Sequence, residues 1–170
     1  MDLKEKIRVV EGFPTNGISF KDITTLLKEP EALKECINQM AQKFNDVSFD
    51  LVAGPESRGF IFATPLAYLL GTGFVPVRKP GKLPAETIKY EYDLEYGTDS
   101  LEIHKDAIQP GQRVLIIDDL LATGGTMMAA AMLIEKLGGI VAGIGFIIEL
   151  EDLNGRDKLK CYRVESLVKY

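Results

Sequence analysis

The sequence predicts an α/β protein built on a mainly parallel open sheet flanked by helices. Three observations predict it. Val114, Leu115, Ile116 and Ile117 form an apolar run with no polar alternation, the pattern of a strand buried on both faces. Strand–loop–helix units occur at residues 50–70 and 114–138, each with glycines in its loop. The other apolar segments continue the alternation of strand and helix patterns, which favours parallel pairing through right-handed crossovers.

Residues 3–10 predict a short helix with Asp2 as its cap. Pro14, Asn16 and Gly17 mark turns, so residues 13–24 predict a loop that carries the aromatic Phe20. Pro30 stands near the first position of a helix whose apolar residues are Leu33, Cys36, Ile37, Met40 and Phe44. Residues 50–53 predict a short strand running into Gly54, Pro55, Glu56, Ser57, Arg58 and Gly59. The next helix presents Ile61, Phe62, Leu66, Leu69 and Leu70 as its apolar residues. Arg58 at that helix's N-terminus opposes the dipole preference. An anion held between Arg58 and the helix end would remove the conflict; a purely structural role is the competing reading.

Residues 74–77 predict a strand leading into a cationic turn that holds Arg78, Lys79 and Lys82. Ile88, Tyr90, Tyr92, Leu94 and Tyr96 then alternate, as do Leu101 and Ile103, with Gly97 between them: a half-exposed hairpin. A long hairpin inserted into such a series is a candidate lid, here at about residues 78–104, and its basic base would attract a polyphosphate. A solvated edge hairpin is the alternative. Residues 112–119 predict the central strand. The helix after it repeats Ala130, Leu133, Ile134 and Leu137 and stops at Gly138. Residues 140–150 predict another buried strand, and residues 162–168 a last one after the polar turn at Asn154 and Gly155.

At 170 residues the chain predicts one domain, burying about two-thirds or more of its unfolded surface. Its 26% charged and 46% hydrophobic residues are ordinary for a globular protein. A net charge of −5 argues against nucleic acid as the main partner. No apolar run reaches the ~18 residues that span a bilayer, and the charged, amphipathic N-terminus has no leader pattern, so no membrane partner is expected. Cys36 and Cys161 have neither metal nor redox spacing and read as core thiols in a reducing cytoplasm. His104, the single histidine, reads as a surface residue.

The most informative stretch is VLIIDDLLATGGT, residues 114–126. Gly124 and Gly125 let backbone amides approach an anion, and the following helix points its free N–H groups and positive dipole end at the same place. Thr123 and Thr126 add hydroxyls. This is a phosphate cradle, and no Lys follows the glycines as in a nucleoside-triphosphate loop. Asp118 and Asp119 would repel a phosphate unless they hold something between, such as sugar hydroxyls or magnesium. A phosphorylated ribose meets that demand.

VLIIDDLLATGGT resembles the phosphoribosyl-pyrophosphate signature of the type I phosphoribosyltransferases, and its LLATGGT form is similar to that of the adenine-using branch. The resemblance runs from FPTNGISFKDI to Leu150. It implies a homodimer that uses Mg2+ and converts adenine and 5-phosphoribosyl 1-pyrophosphate (PRPP) to AMP and pyrophosphate. It implies a small N-terminal hood at about residues 1–30. Ala122, Thr123, Gly124, Gly125 and Thr126 would hold the 5-phosphate. Asp118 and Asp119 would face the ribose hydroxyls, directly or through magnesium-bound water. Glu56, Ser57 and Arg58 match a pyrophosphate loop with a cis peptide between Glu56 and Ser57; Arg78, Lys79 and Lys82 match the basic turn that closes on pyrophosphate. Phe20 would stack on the base, the backbones of Ser19 and Lys21 would read its edge, and Leu150 would add an apolar wall. Lys21 stands where Arg is frequent. Glu95 and Tyr96 match the acidic–aromatic pair on the hairpin.

Two other readings compete. A hypoxanthine or guanine transferase shares the fold, but the residues around Phe20 argue against it. A non-catalytic sensor of PRPP should carry a DNA-binding domain or a basic face, and neither is apparent here.

Overall fold

The computed structural model describes residues 1–94 and 96–170. A 3-10 turn at Lys4–Lys6 precedes β1 (Arg8–Glu11) and β2 (Ser19–Asp22), which pair antiparallel. Then follow α1 (Thr24–Leu27), α2 (Pro30–Lys43), β3 (Leu51–Pro55), α3 (Arg58–Leu70) and β4 (Gly73–Val77). The hairpin is β5 (Thr87–Asp93) and β6 (Thr98–His104). The second half is β7 (Arg113–Leu121), α4 (Gly125–Lys136), β8 (Ile140–Glu149), two 3-10 turns and β9 (Val164–Lys169).

The main sheet has the order β4-β3-β7-β8-β9 and is parallel throughout. The central strand β7 shows why its sequence has no polar alternation. Leu115 and Ile117 pack into the layer of α2 and α3, while Val114 and Ile116 pack into the layer of α4 and the hairpin. Both faces are therefore dry, and each of the four side chains is fully buried. Close packing sets the helix on one side: a Cβ on Gly54 would stand 2.9 Å from the Ala63 Cβ, and one on Gly59 would meet Asp118 Oδ1 at 3.0 Å. Backbone approach of α3 to β3 and β7 thus requires those two glycines. Among the described residues no helix is long and apolar enough to cross a membrane.

Several expectations need correction. Residues 8–10 are strand, not helix. Leu3 and Ile7 are both buried at helical spacing, but the 3-10 turn ends at Lys6 and Ile7 is already extended. The expected loop at 13–24 contains β2, because pairing with β1 organises a segment whose local turn signals stop at Gly17. On α3 the buried residues are Gly59, Phe62, Ala63, Leu66 and Ala67; Ile61, Leu69 and Leu70 are exposed. Apolar character alone misassigned that face, since alanines take the close approach. Cys36 is buried as expected, and desolvation pushes its thiol up to about 12. Cys161 is exposed, contrary to its reading as a core thiol. The central strand holds the Asp118–Asp119 pair as expected but runs two residues further, because pairing with β8 continues to Leu121.

Candidate active site

β3 and β7 are neighbours, yet the chain leaves them for helices on opposite faces. Their following loops diverge and open a crevice at this switch point. A cavity of about 440 Å³ occupies it. Glu56, Ser57, Arg58 and Lys79 line one side; Asp118, Asp119 and the 122–126 loop line the other.

The 122–126 loop reaches α4 through Gly124, left-handed at φ 86°. No side chain caps α4, so the N–H groups of its first turn are left to the cavity, together with the exposed Thr123 and Thr126. Arg58 opens α3, and its Nε donates to Asp119 Oδ2 at 2.5 Å. The anion that the dipole conflict called for is therefore supplied by the facing strand. The Asp119 N–H donates to Asp118 Oδ1 at 2.8 Å. Burial, and then the Asp119 charge, push the Asp118 carboxyl well above the usual range.

Glu56 gathers the basic turn. It accepts the Lys79 N–H at 2.6 Å and Arg78 Nε at 3.2 Å, and pairs with Lys82 Nζ at 3.5 Å. Burial alone would raise its pKa, but the Lys79 N–H and the Lys82 and Arg78 charges outweigh it and hold the carboxyl below the usual range. Lys79 lines the cavity, whereas Arg78 and Lys82 do not and are paired with Glu56 on its wall. The Glu56–Ser57 peptide is cis.

A second, more apolar cavity of about 480 Å³ is lined by Val10, Phe13, Phe20, Lys21, Asp22, Ile23, Thr24 and Arg58. Arg58 borders both cavities. Phe13 meets Phe20 edge to face with centroids 5.2 Å apart. The Gly12 N–H donates to Ile18 O, so hydrogen-bonded pairs alternate along the ribbon and Val10–Phe20 is the next one. Ser19 and Lys21 fall on non-bonded pairs, and their backbone N–H and C=O groups point to the outer edge of β2.

A protein-family profile described as "Phosphoribosyl transferase domain" matches residues 22–169. The adenine phosphoribosyltransferase of Alkaliphilus oremlandii is 64% identical over 170 residues, covering 100% of this chain and 99% of that protein. The chain belongs to the adenine phosphoribosyltransferase family. The crystal structure of the adenine phosphoribosyltransferase from Thermoanaerobacter pseudethanolicus has a TM-score of 0.96 and 60% identity, covering 99% of this chain and 98% of that one. The Saccharomyces cerevisiae adenine phosphoribosyltransferase, complexed with D-2,5-dideoxy-2,5-imino-altritol 1,6-bisphosphate and adenine, has a TM-score of 0.91 and 42% identity, covering 97% of this chain and 96% of that one.

Not every expected site residue of this adenine phosphoribosyltransferase family member borders a cavity. Leu150 packs against the α2–α3 core and lines neither, nor does Ser19, whose hydroxyl donates to Glu11. The Lys21 ammonium turns away, donating to Ser19 Oγ at 2.7 Å and sitting 4.5 Å from the Tyr170 ring centroid. Tyr96 is 88% exposed and lines neither cavity; Glu95 lies outside the described residues. His104 accepts the Ala85 N–H at 3.3 Å, away from both.

Sequence reasoning missed several residues at the site. Tyr92 and Asp99 bring the hairpin onto it, Gly155 backs the 122–126 loop, and Phe13 joins Phe20 in the apolar wall. A signal existed only for Phe13, an aromatic beside a turn. The other contacts are long-range.

Proposed function

We infer that the chain transfers the phosphoribosyl group of PRPP to adenine, forming AMP and pyrophosphate in purine salvage. The junction of two unlike cavities at Arg58 carries this reading. One is rimmed by unpaired amides, hydroxyls and carboxylates, and the other is apolar with an aromatic wall. A ligand with a phosphorylated sugar at one end and a flat base at the other suits that pair.

The 122–126 amides and threonines would hold the 5-phosphate, and Asp118 and Asp119 would face the ribose hydroxyls. Glu56, Ser57, Arg58 and Lys79 surround the remaining space, where pyrophosphate would sit. Arg78 and Lys82 would reach it by leaving Glu56. Phe20 would stack on adenine, and Leu150 would approach it only if the hood shifts. The free backbone edge of Ser19 and Lys21 supports base readout by one C=O and one N–H, matching adenine's amine donor and ring acceptor. A 6-oxo purine reverses both, at about 1–3 kcal/mol per mismatch.

No group of three or more His, Cys, Asp or Glu positioned for a metal occurs among the described residues. The two cavity carboxylates Asp118 and Asp119 suit magnesium, which keeps several waters and takes one or two carboxylates beside substrate phosphates. Asp118 and Asp119 would hold it through water, and when bound it would offset charge on the leaving pyrophosphate. Arg58 and Lys79 would stabilise the same charge from the protein side. Glu95 would accept the base's ring proton or stabilise the oxocarbenium-like centre, with Tyr96 beside it on the hairpin. We further propose a homodimer: Tyr68, Leu69 and Leu70 leave an apolar end of α3 exposed at 90%, 51% and 40%. An exposed free Cys161 supports a reducing cytoplasm.

The test is nucleotide formation from PRPP and magnesium with adenine, hypoxanthine or guanine. AMP formed in strong preference to the 6-oxo products supports the reading. Preference for a 6-oxo purine overturns the base assignment, and PRPP binding without any nucleotide product overturns catalysis.

A further inference from the structure

The hairpin touches both halves of the phosphate site through residues that the proposed reaction leaves unassigned. Lys79, which lines the cavity, is hydrogen-bonded and ion-paired to Asp99 on β6. Tyr92 on β5 donates its hydroxyl to the same Asp99 oxygen at 3.2 Å and lies 3.4 Å from Thr126 Oγ1. Its ring packs over the 5-phosphate loop, 3.6 Å from where a Cβ on Gly125 would stand. The other Asp99 oxygen accepts the Ser100 N–H at 2.8 Å. One carboxylate therefore links the cationic turn and the hairpin to the 122–126 loop. The Lys79 and Asp99 side chains are 39% and 31% exposed, so separating them strands neither charge in the interior.

We propose that Asp99 is a positioning residue that holds Lys79 in the place of pyrophosphate, and that Tyr92 and Asp99 latch the hairpin to the 5-phosphate loop until a polyphosphate takes Lys79 over. The proposal rests on the reading of the cavity as a PRPP site. A carboxylate and a phosphate oxygen are both anionic acceptors for the ammonium, so they compete for it. A half-exposed single-charge pair is the weaker competitor against a multiply charged pyrophosphate. Once pyrophosphate holds Lys79, like charge repels Asp99, and Tyr92 loses the acceptor that ties it beside Thr126. Substrate entry then frees the hairpin from the 122–126 loop, so that the lid can rearrange over the bound substrate.

The experiment compares wild type, D99N, D99A and Y92F by calorimetry with pyrophosphate and magnesium, by initial velocities and by thermal unfolding. Removing the competing carboxylate should tighten pyrophosphate binding about two- to fivefold and lower KM for PRPP by a similar factor, leaving KM for adenine unchanged. Y92F keeps Asp99 but frees it from Thr126; it should shift KM for PRPP the same way by less. It carries the test if the Asp99 variants unfold. A purely structural role would lower Tm and move both KM values together. Pyrophosphate affinity and KM for PRPP that stay unchanged or weaken in folded variants overturn the latch. Wild type that forms no AMP while D99N binds pyrophosphate more tightly overturns the catalytic reading and leaves the latch standing. Wild type that forms AMP while D99N binds no more tightly overturns the latch alone.

Discussion

Substituting Gly155 by Ala should damage PRPP use from outside the cavity. A Cβ on Gly155 would stand 2.4 Å from Ala122 O and 2.7 Å from Leu121 Cδ1, while one on Gly124 would stand 2.6 Å from Gly155 O. The two loops thus touch backbone to backbone. Distances under 3.0 Å are essentially never found for a real Cβ, so the Ala122 carbonyl must retreat by about 0.6 Å or Gly155 must. Gly155 is pinned from behind. Arg156 donates twice to the buried Glu149, at 2.6 and 2.8 Å, and once to Val164 O at 2.8 Å, while Ser166 donates to Glu149 at 2.5 Å. The Arg156 hydrogen bonds come first in holding the Glu149 carboxyl below its usual range, so this anchor stays charged at neutral pH.

The strain therefore falls on the 122–126 loop. Overpacking of this kind costs about 1–3 kcal/mol. At about 2–4 °C per kcal/mol for a chain of this size, Tm should fall by about 2–12 °C. If one amide–phosphate hydrogen bond is lost with the shift, about 1.5–3 kcal/mol, KM for PRPP rises about tenfold to hundredfold while KM for adenine holds. Gly111→Ala is the control for lost stability without overpacking, because Gly111, unlike Gly155, is left-handed at φ 86° and has no atom within 4 Å of its Cβ position. It should lose about 1–2 kcal/mol of stability to backbone strain alone and leave KM for PRPP unchanged. Initial velocities and thermal unfolding on the two variants decide the matter. Wild-type KM in Gly155→Ala, or an equal rise in Gly111→Ala, refutes the reasoning.

Three further outcomes are expected. Glu95→Gln should lower kcat with little change in Tm, and an unchanged turnover number would remove Glu95 from the mechanism. Asp118→Asn should melt above wild type at pH 7, because the fold disfavours the charged carboxylate there. With the folded pKa raised above the ordinary 3.8, the penalty is absent below that value and grows as pH rises, so the two melting curves should converge near pH 3. Asp22 has the opposite sign: the Thr24 N–H first, then the Thr24 hydroxyl and Arg8, hold its carboxyl at about 2. The advantage of wild type over Asp22→Asn in thermal unfolding should be full above pH 4 and vanish as pH falls through about 2.

The main sheet was legible because its signals are local. Val114 to Ile117 announce a buried strand wherever the chain places them, and Pro30 and Gly138 punctuate helices without outside help. The hood was not. The strands RVVE and SFKD have no alternation to read, and the i,i+4 pair Leu3 and Ile7 imitates a helix that tertiary pairing replaces. The candidate site divided the same way. Its contiguous segments at the ends of β3 and β7 stood out, whereas Asp99 and Gly155 matter through partners 20 and about 30 residues away.

Three local rules are broken at the crevice, and all three breaks point inward. Arg58 opens a helix at its positive end, α4 begins with no side-chain cap, and two adjacent carboxylates share a strand end, one of them with its pKa pushed well above the usual range. In an inert core each is a defect, and they would be expected scattered and shielded from one another. Here an anion between Arg58 and the α4 amides, with hydroxyls against the aspartates, would satisfy them together. Asp119 already performs part of that service for Arg58. The convergence of separate violations on one cavity, each relieved by the same ligand chemistry, distinguishes a binding site from strained packing. It also explains why Asp118→Asn should stabilise the fold while impairing the transfer.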